Sequence, residues 1–252
     1  MKSFSFKKWR DRALDVVSEA LAPTFRCIVC GRDVFDDTGF CPQCAKLVVY
    51  NNGTTCKRCG VGIDGAEGYC GNCAFDKIYF DRAYSVFSYE GAVQQAILSM
   101  KFNNLGTYAK VFAKYLVFMA HKVGLNYDIV TFAPMSTKSF RKRGYNQAQL
   151  LAKYFCNLQD EDSLLTEAIV KVKETEAQER LSKTDRKTNL VDAYKINADV
   201  AGKRVLVIDD VKTTGATLNE CAKVLKGAGA TAVYALTVAS RKEHFDYETN
   251  CE

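Results

Sequence analysis

Apolar positions in residues 80–240 come in blocks of two periods. Short runs rich in β-branched and aromatic residues, at 80–89, 128–133, 169–172, 193–196, 205–208 and 232–239, have the length and composition of strands. Between them, apolar residues return at helical intervals over 92–102, 105–122, 145–158 and 216–226. Residues 134–144 and 178–189 fit neither period, and read as a basic loop and a charged, mobile segment. Strands alternating with helices predict an α/β fold, a mostly parallel sheet flanked by helices with ligands at the carboxyl ends of its strands. The run 205–208 is apolar throughout, which predicts a strand buried on both faces.

The first 76 residues follow another rule. Residues 1–24 read as a short amphipathic helix, while 25–76 hold few large aliphatics and eight of the chain's eleven cysteines. The eight form four C-x-x-C pairs: Cys27/Cys30, Cys41/Cys44, Cys56/Cys59 and Cys70/Cys73. They repeat internally, CIVCG…CPQC and then CKRCG…CGNC. A C-x-x-C knuckle turns two thiolates toward one point, and two knuckles complete the tetrahedral site that Zn²⁺ accepts. A disulfide framework suits a secreted chain, and a redox dithiol needs only one pair. No histidine lies nearby to suggest an open coordination position, so two structural Zn²⁺ sites are expected. Sequential pairing is the simplest arrangement, and a cross-braced one would use the same residues. A region so poor in apolar side chains needs such staples to fold. The expected organisation is therefore a helix at 1–24, a double zinc ribbon at 25–76, an α/β domain at 77–241 and a short tail at 242–252.

Composition narrows the class. The chain has 252 residues, 48% of them hydrophobic, and only three prolines, which is the make-up of an ordered globular protein with a real core. No run approaches the roughly 18 apolar residues needed to span a bilayer. Asp11, Asp15 and Glu19 interrupt any apolar segment near the N-terminus, so no signal peptide is expected and the expected location is cytoplasmic. The formal net charge is +6, and its distribution matters more than its size. Residues 134–158 contain no acid but carry Lys138, Arg141, Lys142, Arg143 and Lys153.

The densest chemistry lies in KRVLVIDDVKTTGATL, residues 203–218. The apolar strand runs into Asp209 and Asp210, then into Thr213, Thr214, Gly215, Ala216 and Thr217, where a helix begins. Small residues at a helix N-terminus let backbone N–H groups approach an anion, and three threonine hydroxyls can donate to phosphate oxygens. Two carboxylates beside a phosphate make sense if they hold the hydroxyls of an attached sugar, directly or through Mg²⁺. VLVIDD also opens receiver domains of response regulators, but too little chain follows it here to complete one.

The Asp-Asp and TTGAT block resembles the signature of type I phosphoribosyltransferases. That resemblance implies binding of 5-phosphoribosyl-1-pyrophosphate (PRPP) with Mg²⁺, Asp209 and Asp210 facing the ribose hydroxyls and Thr213 to Thr217 cradling the 5′-phosphate. Cysteine knuckles ahead of such a domain narrow the likeness to the ComF (competence protein F) family, over about residues 27–240. Three further stretches match it: Met100-Lys101-Phe102, the run from Arg141 to Gln147 (RKRGYNQ), and Thr175, Gln178, Leu181, Arg186 and Asn189 in a T-x-x-Q-x-x-L…R-x-x-N pattern. Lys101, Arg141 and Arg143 are suited to pyrophosphate oxygens, Lys as a point charge and Arg as a fork. Gln178, Arg186 and Asn189 would belong to a lid closing over PRPP. The family likeness implies a part in DNA uptake and natural transformation, with single-stranded DNA and DNA-uptake or recombination proteins as partners. The alternative is an active phosphoribosyltransferase of nucleotide or amide metabolism, whose acceptor the short C-terminal segment does not reveal.

Overall fold

A computed structural model describes residues 26–34, 36, 38–63, 68–102, 106–173 and 193–241. The expected N-terminal helix, the lid residues Gln178, Arg186 and Asn189, and the tail lie outside the described residues. The chain divides into two compact units, Met1–Leu47 and Val48–Glu252.

In the smaller unit, the backbone turns back on itself at the first knuckle, where Cys27 N–H donates to Arg32 C=O and Gly31 N–H to Cys27 C=O. A single-turn helix, α1 (Pro42–Ala45), carries the second knuckle. Cys27, Val34, Cys41 and Cys44 are its buried cluster.

The larger unit opens with the same device. Cys56 N–H donates to Val61 C=O and Gly60 N–H to Cys56 C=O, and α2 (Gly71–Phe75) carries the last knuckle. The sheet that follows has four parallel strands in the order β1 (Arg82–Ser88), β6 (Ala232–Ser240), β5 (Arg204–Lys212) and β2 (Ile129–Phe132). Side chains alternate across a strand. Val205 and Val207 join a core shared with the second cysteine group and with α7 (Ala216–Gly227). Leu206 and Ile208 are left to the opposite face, where α4 (Tyr108–Lys122) packs on β1 and β6, and α6 (Gln147–Asn157) on β2 and β5. Both faces of β5 are buried, as its unbroken apolar run predicts.

Both sheet edges are paired. Ser88 N–H donates to Val49 C=O and Asn51 N–H to Val86 C=O along β1, and Thr166 N–H donates to Val130 C=O along β2. Covering the edges in this way removes a template for association with other chains. A buried hydroxyl pair, Ser85 Oγ and Thr237 Oγ1 at 2.7 Å, sits at the facing position of β1 and β6.

Three local expectations are corrected. The stretch expected to be a basic loop contains α5 (Thr137–Arg143), because Ser136 accepts from Ser139 N–H as a helix cap and the helix ends at Gly144. The strand expected at 205–208 extends through both aspartates to Lys212, held by its parallel ladder with β6. The runs near 169 and 194 form β3 (Ile169–Lys171) and β4 (Tyr194–Ile196), an antiparallel pair outside the main sheet. Paired with each other, they bury Ile169 and Tyr194 in the core shared with α7.

Candidate phosphate and metal sites

The cysteines fall into two sets, Cys27, Cys30, Cys41 and Cys44 in the smaller unit and Cys56, Cys59, Cys70 and Cys73 in the larger. Within each set the sulfur atoms all lie within 4.8 Å of one another, so the pairing is sequential and not cross-braced. The Cys30–Cys41 and Cys59–Cys70 sulfur separations of 3.7 and 3.6 Å match the edge of a tetrahedron with metal–sulfur bonds of about 2.3 Å. Cys44 N–H donates to Cys41 Sγ and Cys59 N–H to Cys56 Sγ, the amide–sulfur bonds that a knuckle closes on. Cys27 and Cys41 in the first set and Cys59 in the second are drawn toward ionisation. The Cys44 backbone amide pulls Cys41 down to about 6, and hydrogen bonds from Cys70 and Cys73 hold Cys59 below the ordinary thiol range. Four soft sulfur donors converging on one point fit Zn²⁺.

The second candidate site lies at the carboxyl end of β5. Gly215 takes φ +79° as the N-cap of α7, a conformation that favours glycine. Glycine brings no side chain of its own to cap the first turn, where Ala216 N–H donates to Thr214 Oγ1 at 3.4 Å, and the helix starts with its N–H dipoles turned into the half-buried Thr213–Thr217 loop. Asp210, two residues before the end of β5, is buried against Lys101 from the last turn of α3 (Gly91–Phe102), with Nζ 3.0 Å from Oδ2. Burial works against the charge on Lys101, but the Asp210 carboxylate outweighs it and keeps the ammonium's pKa above the ordinary lysine value. Asp209 alternates to the other side of the strand. Burial, and then the neighbouring Asp210 charge, pushes it up to about 7.

Two motifs far apart in sequence are brought together around Lys101. Tyr145 O–H donates to the Met100 carbonyl, and the Arg143 guanidinium lies 5.2 Å from the centre of the Phe102 ring. Arg143 also donates to Gln147 Oε1, and Asn146 holds α6 to the end of β2 by capping Ala148 N–H and donating to Ala133 C=O. Arg141 points outward on the exposed side of α5 and takes no part in this constellation.

Two residues of the loop's surroundings were not singled out in the sequence. Lys212, only 4% exposed, donates to Cys59 Sγ at 3.6 Å. Asn219 on α7 accepts from Tyr79 N–H and donates to Lys77 C=O, tying the helix to the chain that leaves the second cysteine set. A lysine between an apolar strand and TTGAT was the available signal for the first; nothing marked the second. Between these ties opens a cavity of about 510 Å³, with Cys59, Cys70 and Cys73 on one wall and Thr213 to Ala216 on the other.

Comparison with known proteins adds an independent line. The double zinc ribbon domain family matches residues 17–74, and the phosphoribosyl transferase domain family matches residues 141–248. Competence protein F of Haemophilus influenzae is 31% identical over 217 residues, 81% of this chain and 92% of that protein. DNA utilization protein YhgH of Salmonella typhimurium is 30% identical, covering 77% of this chain and 87% of that protein. Competence protein ComFC of Streptococcus pneumoniae is 26% identical over 75% of this chain and 76% of that protein.

Proposed function

The chain belongs to the ComF (competence protein F) family, and from that premise we propose that it binds PRPP with Mg²⁺ and acts in DNA utilisation by handling single-stranded DNA. The observation that carries the ligand reading is the carboxyl end of β5. There a glycine-turned threonine loop opens a helix shortly after two adjacent acids, of which Asp210 is buried and paired to a lysine. In this reading the 5′-phosphate sits on the loop and the first turn of α7, where N–H dipoles and hydroxyls converge. Asp209 and Asp210 take the ribose hydroxyls, and their carboxylate oxygens are the donors that would hold Mg²⁺. The metal would neutralise the pyrophosphate and polarise its bond to the anomeric carbon. Lys101, and Arg143 once lifted from Phe102, supply the remaining positive charge.

The thermal test is direct. PRPP with Mg²⁺ raises the melting temperature of the wild-type protein, and Asp209→Ala combined with Asp210→Ala removes the shift. A wild-type protein indifferent to millimolar PRPP would overturn the ligand reading.

The DNA reading rests on α5 and its neighbours. Arg141 and Lys142 are exposed there, as are Phe140 (47%) and Phe102 (52%). Cations for phosphates beside aromatic faces for bases are the two elements of sequence-tolerant single-strand binding. Binding of a labelled oligonucleotide should weaken with salt, and Arg141→Ala with Arg143→Ala should flatten the log–log salt slope by about 1.4, roughly 0.7 for each lost phosphate contact. A slope unchanged by the double variant would move the DNA site elsewhere.

A further inference from the structure

Lys212 stands apart from every role assigned above. It is the last residue of β5 and the one immediately before the phosphate loop, and a charged side chain buried there needs a reason. Its ammonium reaches away from the acid pair to Cys59 Sγ, 3.6 Å away. Its stem runs beneath the loop, with Cγ and Cδ each 3.8 Å from where a Cβ would stand on Gly215, the left-handed residue that starts α7. Its carbonyl accepts from Arg241 N–H, which fixes the backbone on the β6 side. One side chain therefore reaches a cysteine of the second set at its tip and passes close by the turn of the phosphate loop along its length.

The charges make this contact more than packing. A divalent cation held by four thiolates has a net charge of −2, and a buried ammonium is stable only beside such a counter-charge. Lysine and the metal–thiolate cluster each supply what the other lacks. Donors to a ligand atom also tune how firmly the metal is held. The Asn219 tie adds a second span across the same cavity, from α7 to the chain after Cys73.

We propose that Lys212 couples the second four-cysteine site to the phosphate loop, so that the metal holds the loop in its anion-binding conformation and loss of the metal releases it. The proposal deepens the PRPP reading and rests on it for the identity of the anion, but the mechanical link can be measured without any ligand.

The experiment uses the full-length, zinc-loaded protein. Lys212→Met preserves the stem and removes the charge. Zinc release is followed with a chromogenic chelator, and amide hydrogen exchange is read over residues 213–217. One of the two ions should leave about tenfold faster than in the wild type, and exchange in the loop should rise by a similar factor while β6 stays protected. Lys212→Arg, which keeps a charged donor, should stay near wild type in both readouts. Should the Met variant fail to fold, Lys212→Gln carries the same comparison. Wild-type zinc release or unchanged loop exchange in the neutral variants would overturn the coupling. So would an Arg variant as loose as the Met variant, since the residue would then serve packing alone. A final arm measures binding of PRPP with Mg²⁺, which should weaken about tenfold in Lys212→Met. Failure of the wild type to bind PRPP would overturn the ligand assignment, with the exchange and release arms still deciding the link.

Discussion

Among single residues, Asp209 makes the most direct prediction. Its pKa is raised to about 7 in the folded chain, against about 3.9 for an unstrained aspartate. Below pH 4 the carboxyl is protonated in both states and costs nothing. As pH rises to about 7 the unfolded chain releases this proton first, so folding stability falls across that window, and the full cost persists above it. Asp209→Asn should therefore raise the melting temperature at pH 8, by the equivalent of roughly 1–3 kcal/mol, and leave it unchanged near pH 4. A thermal melt series of both proteins across pH 4–8 measures the difference. In the same series, the stabilisation by PRPP with Mg²⁺ should grow from pH 6 to 8, because the cation needs the ionised carboxylate. Gly60 gives a second prediction at this scale. It takes φ +65°, and a Cβ there would meet the Ala83 carbonyl oxygen at 2.5 Å. Gly60→Ala should destabilise the larger unit by roughly 2–4 kcal/mol in denaturant unfolding.

At the scale of elements, legibility followed the range of the forces. Periodicity located the helices and the main strands because burying one face, or both, imposes a repeat that the sequence must carry. It failed at α5, a helix of seven residues with no buried side chain, which exists because Ser136 caps it. The cap is written in one residue, too short a signal to outweigh a run of lysine and arginine. It also shortened β5, since two consecutive aspartates look like the end of a strand. Hydrogen bonds to β6, together with the Lys101 partner of Asp210, carry the strand through them. The candidate site was legible as separate motifs, MKF, RKRGYNQ and DDVKTTGAT, since each has its own local chemistry. The family likeness placed them on one ligand, but the contacts that join them, Tyr145–Met100 and Arg143–Phe102, were not legible, because they depend on how α3, α5 and α6 pack. A test at this scale is Phe102→Ala. It should remove the aromatic face that holds Arg143, lower oligonucleotide affinity by about 1 kcal/mol or more, and leave thermal stability within a degree or two, because Phe102 is half exposed.

For the whole molecule, the internal repeat conceals an asymmetry. The two cysteine sets share spacing, turn hydrogen bonds and a helix at the second knuckle, and by sequence they are equivalent. Their burial is not. The first set has a cluster of its own, with Val34, inside the smaller unit. The second is continuous with the core of the larger unit, among Val205, Val207, Leu225 and Tyr194. Metal binding at the first set is therefore folding energy for a small region, whereas at the second it stabilises the sheet and α7 as well. Cys27→Ser with Cys30→Ser should reduce bound zinc from two ions to one and leave the main unfolding transition of the larger unit in place. Cys70→Ser with Cys73→Ser should remove the other ion and lower that transition by many degrees, because an unpaired buried set leaves sulfur atoms and Lys212 without their counter-charge. Differential scanning calorimetry, with zinc content measured on the same samples, distinguishes the two. Equal effects from both double variants would mean that the second set contributes no more to the larger unit than the first.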